Sequence, residues 1–162
     1  MFILKGASVM AAKEHHYQIT VRWTGNRGNG TASYTAYGRN AELIAAGKET
    51  IALSADPAFR GDATRWNPEE LLLASASACH KLWYLHLCSD AGIVVEAYED
   101  AAEGTMIEGT RGRFTNITLK PRIALRDPAD ADRARELHHQ AHEACFIANS
   151  LNFPVNCEPE FV

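Results

Sequence analysis

Asn67-Pro68-Glu69-Glu70-Leu71-Leu72-Leu73-Ala74-Ser75-Ala76-Ser77-Ala78-Cys79-His80-Lys81-Leu82-Trp83 is the stretch on which the fold of this 162-residue chain turns. Asn67 suits a helix N-cap, Pro68 the first helical position, and Glu70 the third, where its carboxylate reaches back in a capping box. From there to about position 89 the residues are apolar on nearly every face, Leu82, Trp83, Leu85 and Leu87 included. A helix of that kind belongs in the middle of a structure. Gly92 stops it.

Upstream, Tyr17, Ile19, Val21 and Trp23 alternate with Gln18, Thr20 and Arg22, the period-2 pattern of a half-buried strand. Three glycines and two asparagines over 25–30 mark a turn, and 31–37 reads as a returning strand. The pair forms a hairpin with Arg27 at its tip; 51–53 adds a short strand. A loop rich in Asp, Gly and Pro over 54–66 carries Arg60 and Arg65. Downstream, 93–98 and 114–125 are strand-like, with a turn or short strand between them. Asp127-Pro128 opens a second long helix in which Leu137, Ala141, Ala144, Ala148 and Leu151 make a packing stripe; 153–162 closes the chain as a strand. Strands, buried helix, strands, helix, strand, without regular βαβ alternation, define an α+β fold. No repeat or linker divides it, so 14–162 is expected to be one domain. Residues 1–13 are expected to be a loose extension, with the start at Met1 or Met10 undecided.

Composition narrows the function. A net charge of -4 gives no broad basic surface for nucleic acid or an anionic membrane. No apolar run approaches the roughly 20 residues of a membrane span. Without a secretion signal, the four cysteines do not form a disulfide framework, and a cytoplasmic location is expected. They are then reactive thiols, metal ligands or core residues. Cys79 and Cys145 each fall mid-helix among small residues that allow close helix approach, and a disulfide needs Cα atoms within roughly 4.4–6.8 Å. Both are equally readable as buried core cysteines. Cys88, nine residues past Cys79, faces the opposite way, and Cys157 is best explained by packing.

Here the chain resembles the OsmC/Ohr family (osmotically induced and organic hydroperoxide resistance proteins). Asn67-Pro68-Glu69 followed ten residues later by Cys79 is similar to that family's central-helix signature. Trp23-x-Gly25 with Gly28-x-Gly30 resembles its first hairpin, and Ala144-Cys145-Phe146-Ile147-Ala148-Asn149 the helix carrying its second cysteine. Phe146 stands where the family often has proline. The resemblance implies an OsmC-like fold, antiparallel strands on two long central helices in an intertwined homodimer. It implies a peroxidatic Cys79 and a resolving Cys145 that reduce an organic hydroperoxide and are recycled by a dithiol or lipoyl-type reductant, with no cofactor and no metal.

A buried cysteine needs a nearby cation to ionise at neutral pH. The resemblance supplies an Arg–Glu pair. Glu69 matches the carboxylate position, while Arg27 and Arg60 are the candidates for the cation, with Arg39 and Arg65 in reserve. Ten helical residues put Glu69 roughly 15 Å from Cys79 along the axis, so Glu69 would serve the cysteine of a second subunit. Two other readings stay open. One is a dimeric binding module whose apolar cleft, lined by Phe59, Leu82, Trp83 and Phe146, holds a hydrophobic ligand. The other is a zinc site built on His138, His142 and Cys145, one helix face, with Cys79 or His80 added.

Overall fold

A computed structural model describes residues 13–162; the expected loose extension and both candidate start residues lie outside them, apart from Lys13. The chain divides into two compact units, one ending at Arg65 and the other running from Trp66 to Val162.

The first unit is built on an antiparallel meander, β1 (Thr20–Trp23), β2 (Ala41–Ile44) and β3 (Ile51–Leu53). Trp23 pairs with Ala41 and Thr20 with Ile44. The expected return strand over 31–37 is therefore displaced to Ala41–Ile44. Residues 31–37 form successive turns instead, closed by Ala32 N–H donating to Asn29 O and Ala36 N–H to Ser33 O. Arg39 explains the shift. Its guanidinium lies 4.3 Å and 4.2 Å from the ring centres of Tyr34 and Tyr37 and donates to both their carbonyls, winding the chain around itself. Gly25 permits the close approach at the base of this loop. A Cβ there would lie 1.9 Å from Gly38 O, the acceptor that Trp23 Nε1 already uses. The alternating apolar side chains of β1 are exposed rather than half-buried.

The second unit opens with α1 (Pro68–Asp90). Its capping box forms as the sequence dictates: Asn67 Oδ1 accepts from Glu70 N–H at 2.7 Å, and Glu70 Oε2 accepts from Asn67 N–H at 3.1 Å. The helix is not buried all round. Ala76, His80, Tyr84 and Cys88, spaced by four, are its buried residues, whereas Leu82 is 64% exposed.

Four strands follow in two antiparallel pairs. β4 (Val95–Asp100) pairs with β7 (Pro121–Leu125), and β5 (Glu103–Ile107) with β6 (Arg113–Leu119). The single strand expected over 114–125 is thus two, in different sheets. Pro121 begins the second, since it has no N–H to continue a ladder. Asp100 fixes the break by accepting Lys120 N–H at 2.7 Å. The C-terminal segment likewise splits at Pro159. β8 (Val155–Cys157) runs parallel to β6, and β9 (Glu160–Phe161) parallel to β7.

α2 (Ala131–Ala144) buries Ala134, Leu137, His138 and Ala141. It is shorter than expected. Cys145 takes an extended ψ of 107° and ends it, and Ala148–Ser150 forms only a 3-10 turn. Side chains of α1 and α2 close over Ile93 and Ile123 in one apolar cluster, while Ala76, Ile117 and Leu119 form a second. No helix among the described residues is long and apolar enough to cross a membrane.

The capping box is testable. Asn67→Ala should lower unfolding free energy by about 1 kcal/mol, measured by urea denaturation followed by circular dichroism.

Candidate functional site: a paired-thiol pocket

Cys79 sits on α1 one residue before the buried stripe, so its thiol leaves the core and borders an apolar cavity of about 320 Å³. Leu82, Trp83, His86 and Phe146 complete the wall. Trp83 and Phe146 meet edge to face at 5.7 Å, which seats the 71%-exposed Phe146 against α1. Cys145, only 1% exposed, lies beneath. Burial pushes its thiol up to about 11, and the neighbouring Cys79 thiol raises it further. The two cysteines, 66 positions apart in sequence, therefore face one another. Neither is in a disulfide.

Cys145 owes its position to the end of α2. Its own N–H still bonds back to His142 O, and its Sγ accepts from Ala148 N–H at 3.4 Å. The turn beyond is pinned by Ser150 Oγ donating to Phe146 O and Asn149 Nδ2 donating to Glu143 O. Phe146 takes the place of the expected proline without disturbing this arrangement, because the helix has already ended.

Glu69 occupies the second position of α1, two turns and more from Cys79. Its Oε2 is screened from solvent and has no hydrogen-bond partner among the described residues. An unpaired buried carboxylate oxygen is costly, and a cation is its natural complement.

Within the first unit, Arg27, Arg39 and Arg60 line a cavity of about 290 Å³ together with Gly25, Asn26 and Asp62. Arg39 is committed to the two tyrosines, and Arg65 pairs with Asp62 at 3.4 Å. Arg60 has φ 67°, the one left-handed non-glycine residue among those described. The next residue must be glycine: a Cβ on Gly61 would fall 1.6 Å from Ala55 O. Arg60 takes this conformation as the left-handed cap of the 3-10 turn Pro57–Phe59, its N–H donating to Pro57 O.

Sequence reasoning grouped His138 with His80 only as one option of a zinc site and missed Cys157. His138 is buried, and its Nδ1 lies 2.9 Å from His80 Nε2, with Cys157 Sγ beside both. The only signal in the sequence was that His80 and His138 each fall on a stripe of small or apolar residues. His142 and Cys145, named with His138 in the zinc reading, stand outside this cluster.

The chain belongs to the OsmC-like protein family, whose model matches residues 61–160. An uncharacterized protein of Bacillus subtilis is 26% identical over 152 residues, 91% of this chain and 93% of its own. An OsmC-like protein of unknown function from Vibrio cholerae superposes with a TM-score of 0.81 at 27% identity, covering 90% of this chain and 99% of that one. An organic hydroperoxide resistance protein from Elizabethkingia anophelis shares the fold at a TM-score of 0.65 and 19% identity, covering 92% and 98%. The mixed α/β OsmC-like fold with its sheets and two helices is thereby established.

The buried histidines make stability depend on pH. Burial lowers His80 to about 4 and His138 to about 3. Below the ordinary value of about 6.5 the unfolded chain takes up protons that the folded chain refuses. Stability is therefore complete above pH 6.5 and falls as pH drops toward 4. The thermal midpoint should decline between pH 6.5 and pH 5, before most carboxylates titrate, and His138→Phe should flatten that decline. A pH series of thermal melts by circular dichroism measures both.

Proposed function

We propose that this protein is a cysteine-based peroxidase that reduces organic hydroperoxides in defence against oxidative stress. The observation that carries the proposal is the meeting of Cys79, at the mouth of an apolar cavity, with the buried Cys145. Burial keeps Cys145 protonated at neutral pH, so the attacking thiolate is assigned to Cys79, which borders the cavity. That thiolate takes the terminal peroxide oxygen: the O–O bond breaks, the alkoxide leaves and is protonated to the alcohol, and Cys79 becomes a sulfenic acid. Cys145 then condenses with it, releasing water and forming the disulfide. A dithiol of small-molecule or lipoyl type restores both thiols by exchange. The apolar wall of Leu82, Trp83 and Phe146 favours an alkyl or aryl hydroperoxide over hydrogen peroxide. The names of structural relatives, organic hydroperoxide resistance proteins among them, agree with this reading.

The working form is proposed to be an intertwined homodimer. Exposed Tyr17, Ile19, Val21 and Trp23, alternating as a buried face should, and the open face of α1 around Leu82 support a covering partner. The unpaired Glu69 Oε2 supports an arginine counterpart supplied by the partner chain, with Arg60 and Arg27 as the candidates. With Glu69 far along the helix from Cys79 of its own chain, sharing between subunits satisfies both groups. The cycle requires the two protein thiols and an external dithiol reductant but no bound cofactor, and we place it in a reducing, cytoplasmic compartment.

The competing reading, a hydrophobic-ligand module with inert cysteines, uses the same cavity and is separated by thiol chemistry. One equivalent of cumene hydroperoxide should consume two thiols per chain and leave a Cys79–Cys145 link on peptide mapping; four surviving thiols would favour the binding module. Cys79→Ser should abolish turnover. Cys145→Ser should still react once and stop as a sulfenic acid trapped by dimedone. Glu69→Gln should lower kcat/KM by about 100-fold, the lower end of the cost of removing one preorganised polar group. Light scattering of the reduced protein should give twice the chain mass.

A further inference from the structure

Three elements of the second unit each deliver one metal-ligating atom to a common point in the interior. α1 supplies His80 Nε2, α2 supplies His138 Nδ1 and β8 supplies Cys157 Sγ. The nitrogens are 2.9 Å apart, and the sulfur lies 3.6 Å from the first and 3.5 Å from the second. Neither histidine is more than 4% exposed. We propose that His80, His138 and Cys157 form a three-ligand site for a zinc ion, separate from the thiol pair.

The distances carry the argument. Zinc bound tetrahedrally, with Zn–N about 2.0–2.1 Å and Zn–S about 2.3 Å, has N···S edges of about 3.6 Å and an N···N edge of about 3.3 Å. Both N···S separations already have that length. The nitrogens need to part by about 0.4 Å, exchanging the hydrogen bond between them for two bonds to metal. Two imidazoles and a thiolate are also the donor types that suit zinc.

The surroundings fit the same ion. Burial holds both imidazoles well below their ordinary value, so their lone pairs are free at neutral pH. Burial likewise raises the Cys157 thiol, to about 12, while no cation is beside it; binding would displace that proton to solvent. The Asp100 carboxylate acts electrostatically on both His80 and Cys157 and is anchored by Ser77 Oγ and Lys120 N–H. It supplies the outer negative charge that such sites keep. Against it, Arg135 and His139 place positive charge near His138, and His142 near His80. Arg135 is drawn aside, donating to Pro159 O and stacking on Phe161. Tyr84 stacks on the His138 ring at 3.9 Å and fixes its plane. A cavity of about 380 Å³, lined by His138, His139, His142, Asn156 and Cys157 among others, reaches two of the three ligands. It offers an entry path and room for water as the fourth ligand.

Cobalt(II) provides the probe, because it takes zinc sites and reports its ligands in absorption. Reduced protein freed of metal by chelation is titrated with cobalt alone, as wild type, as Cys79→Ser/Cys145→Ser and as Cys157→Ser. Wild type and the double variant should each bind one ion per chain. Both should show intense tetrahedral visible bands and a thiolate-to-cobalt charge-transfer band, all removed by one equivalent of zinc. Cys157→Ser should lose the charge-transfer band and bind more weakly by at least about 100-fold, beyond the 10–100-fold cost of losing an outer partner. No uptake at millimolar cobalt would overturn the proposal. So would a charge-transfer band that survives Cys157→Ser or vanishes in the double variant. Should Cys157→Ser not fold, X-ray absorption on zinc-loaded double variant decides: two imidazoles and one sulfur support the site, and a shell of nitrogen and oxygen only refutes it. Activity enters none of these readouts, so the peroxidase reading stands or falls separately.

Discussion

The seam between α1 and α2 is the contact from which the rest of the second unit follows. Four residues of α1, spaced by one helical turn, meet a stripe of α2 in which Ala134 and Ala141 are fully buried. Alanines let the backbones come close, and closeness leaves room for one layer of side chains only. Tyr84 and His138 fill it face to face. Every other arrangement in the unit is registered to that layer. Ile93 and Ile123 seal one end, and Cys79, one residue off the stripe, is left facing Cys145 at the other side.

The seam also explains why two histidines stay neutral inside a protein of ordinary composition. A protonated pair 2.9 Å apart would repel and would lack the water that stabilises charge. Neutral, one ring donates to the other and the contact is satisfied. The same polar cluster ties β8 to both helices. The C-terminal strand is therefore held by chemistry as well as by its ladder to β6.

How much of this was legible beforehand differs by element. The capping box at Asn67 rests on local pattern and was readable. That Cys79 and Cys145 lie near one another follows the family motif, whereas the roles of these thiols, of Glu69 and of the two candidate arginines stay proposals. The return strand over 31–37 failed because alternation in a Tyr/Thr/Ser segment cannot reveal that Arg39 will bind two of its carbonyls. The long strand over 114–125 failed at Pro121, where an uninterrupted face of Ile and Leu outweighed a single missing donor. The length of α2 was overrun because the apolar stripe continues past Ala144 while the backbone does not. His80, His138 and Cys157 come together only through tertiary register, across 58 and 77 positions, and no local pattern encodes that.

The early end of α2 has a mechanical consequence. Cys145 lies just outside the last regular helical turn, on a segment held by a handful of side-chain bonds from Asn149, Ser150 and its own sulfur. A thiol embedded mid-helix could move toward a partner only by dragging rigid rod with it. One placed on a short tether can swing, trading a 3.4 Å sulfur contact for a covalent one while the helix and its seam stay as they are. In the proposed cycle the rearrangement would be confined to this tether, leaving the helix and its seam unchanged.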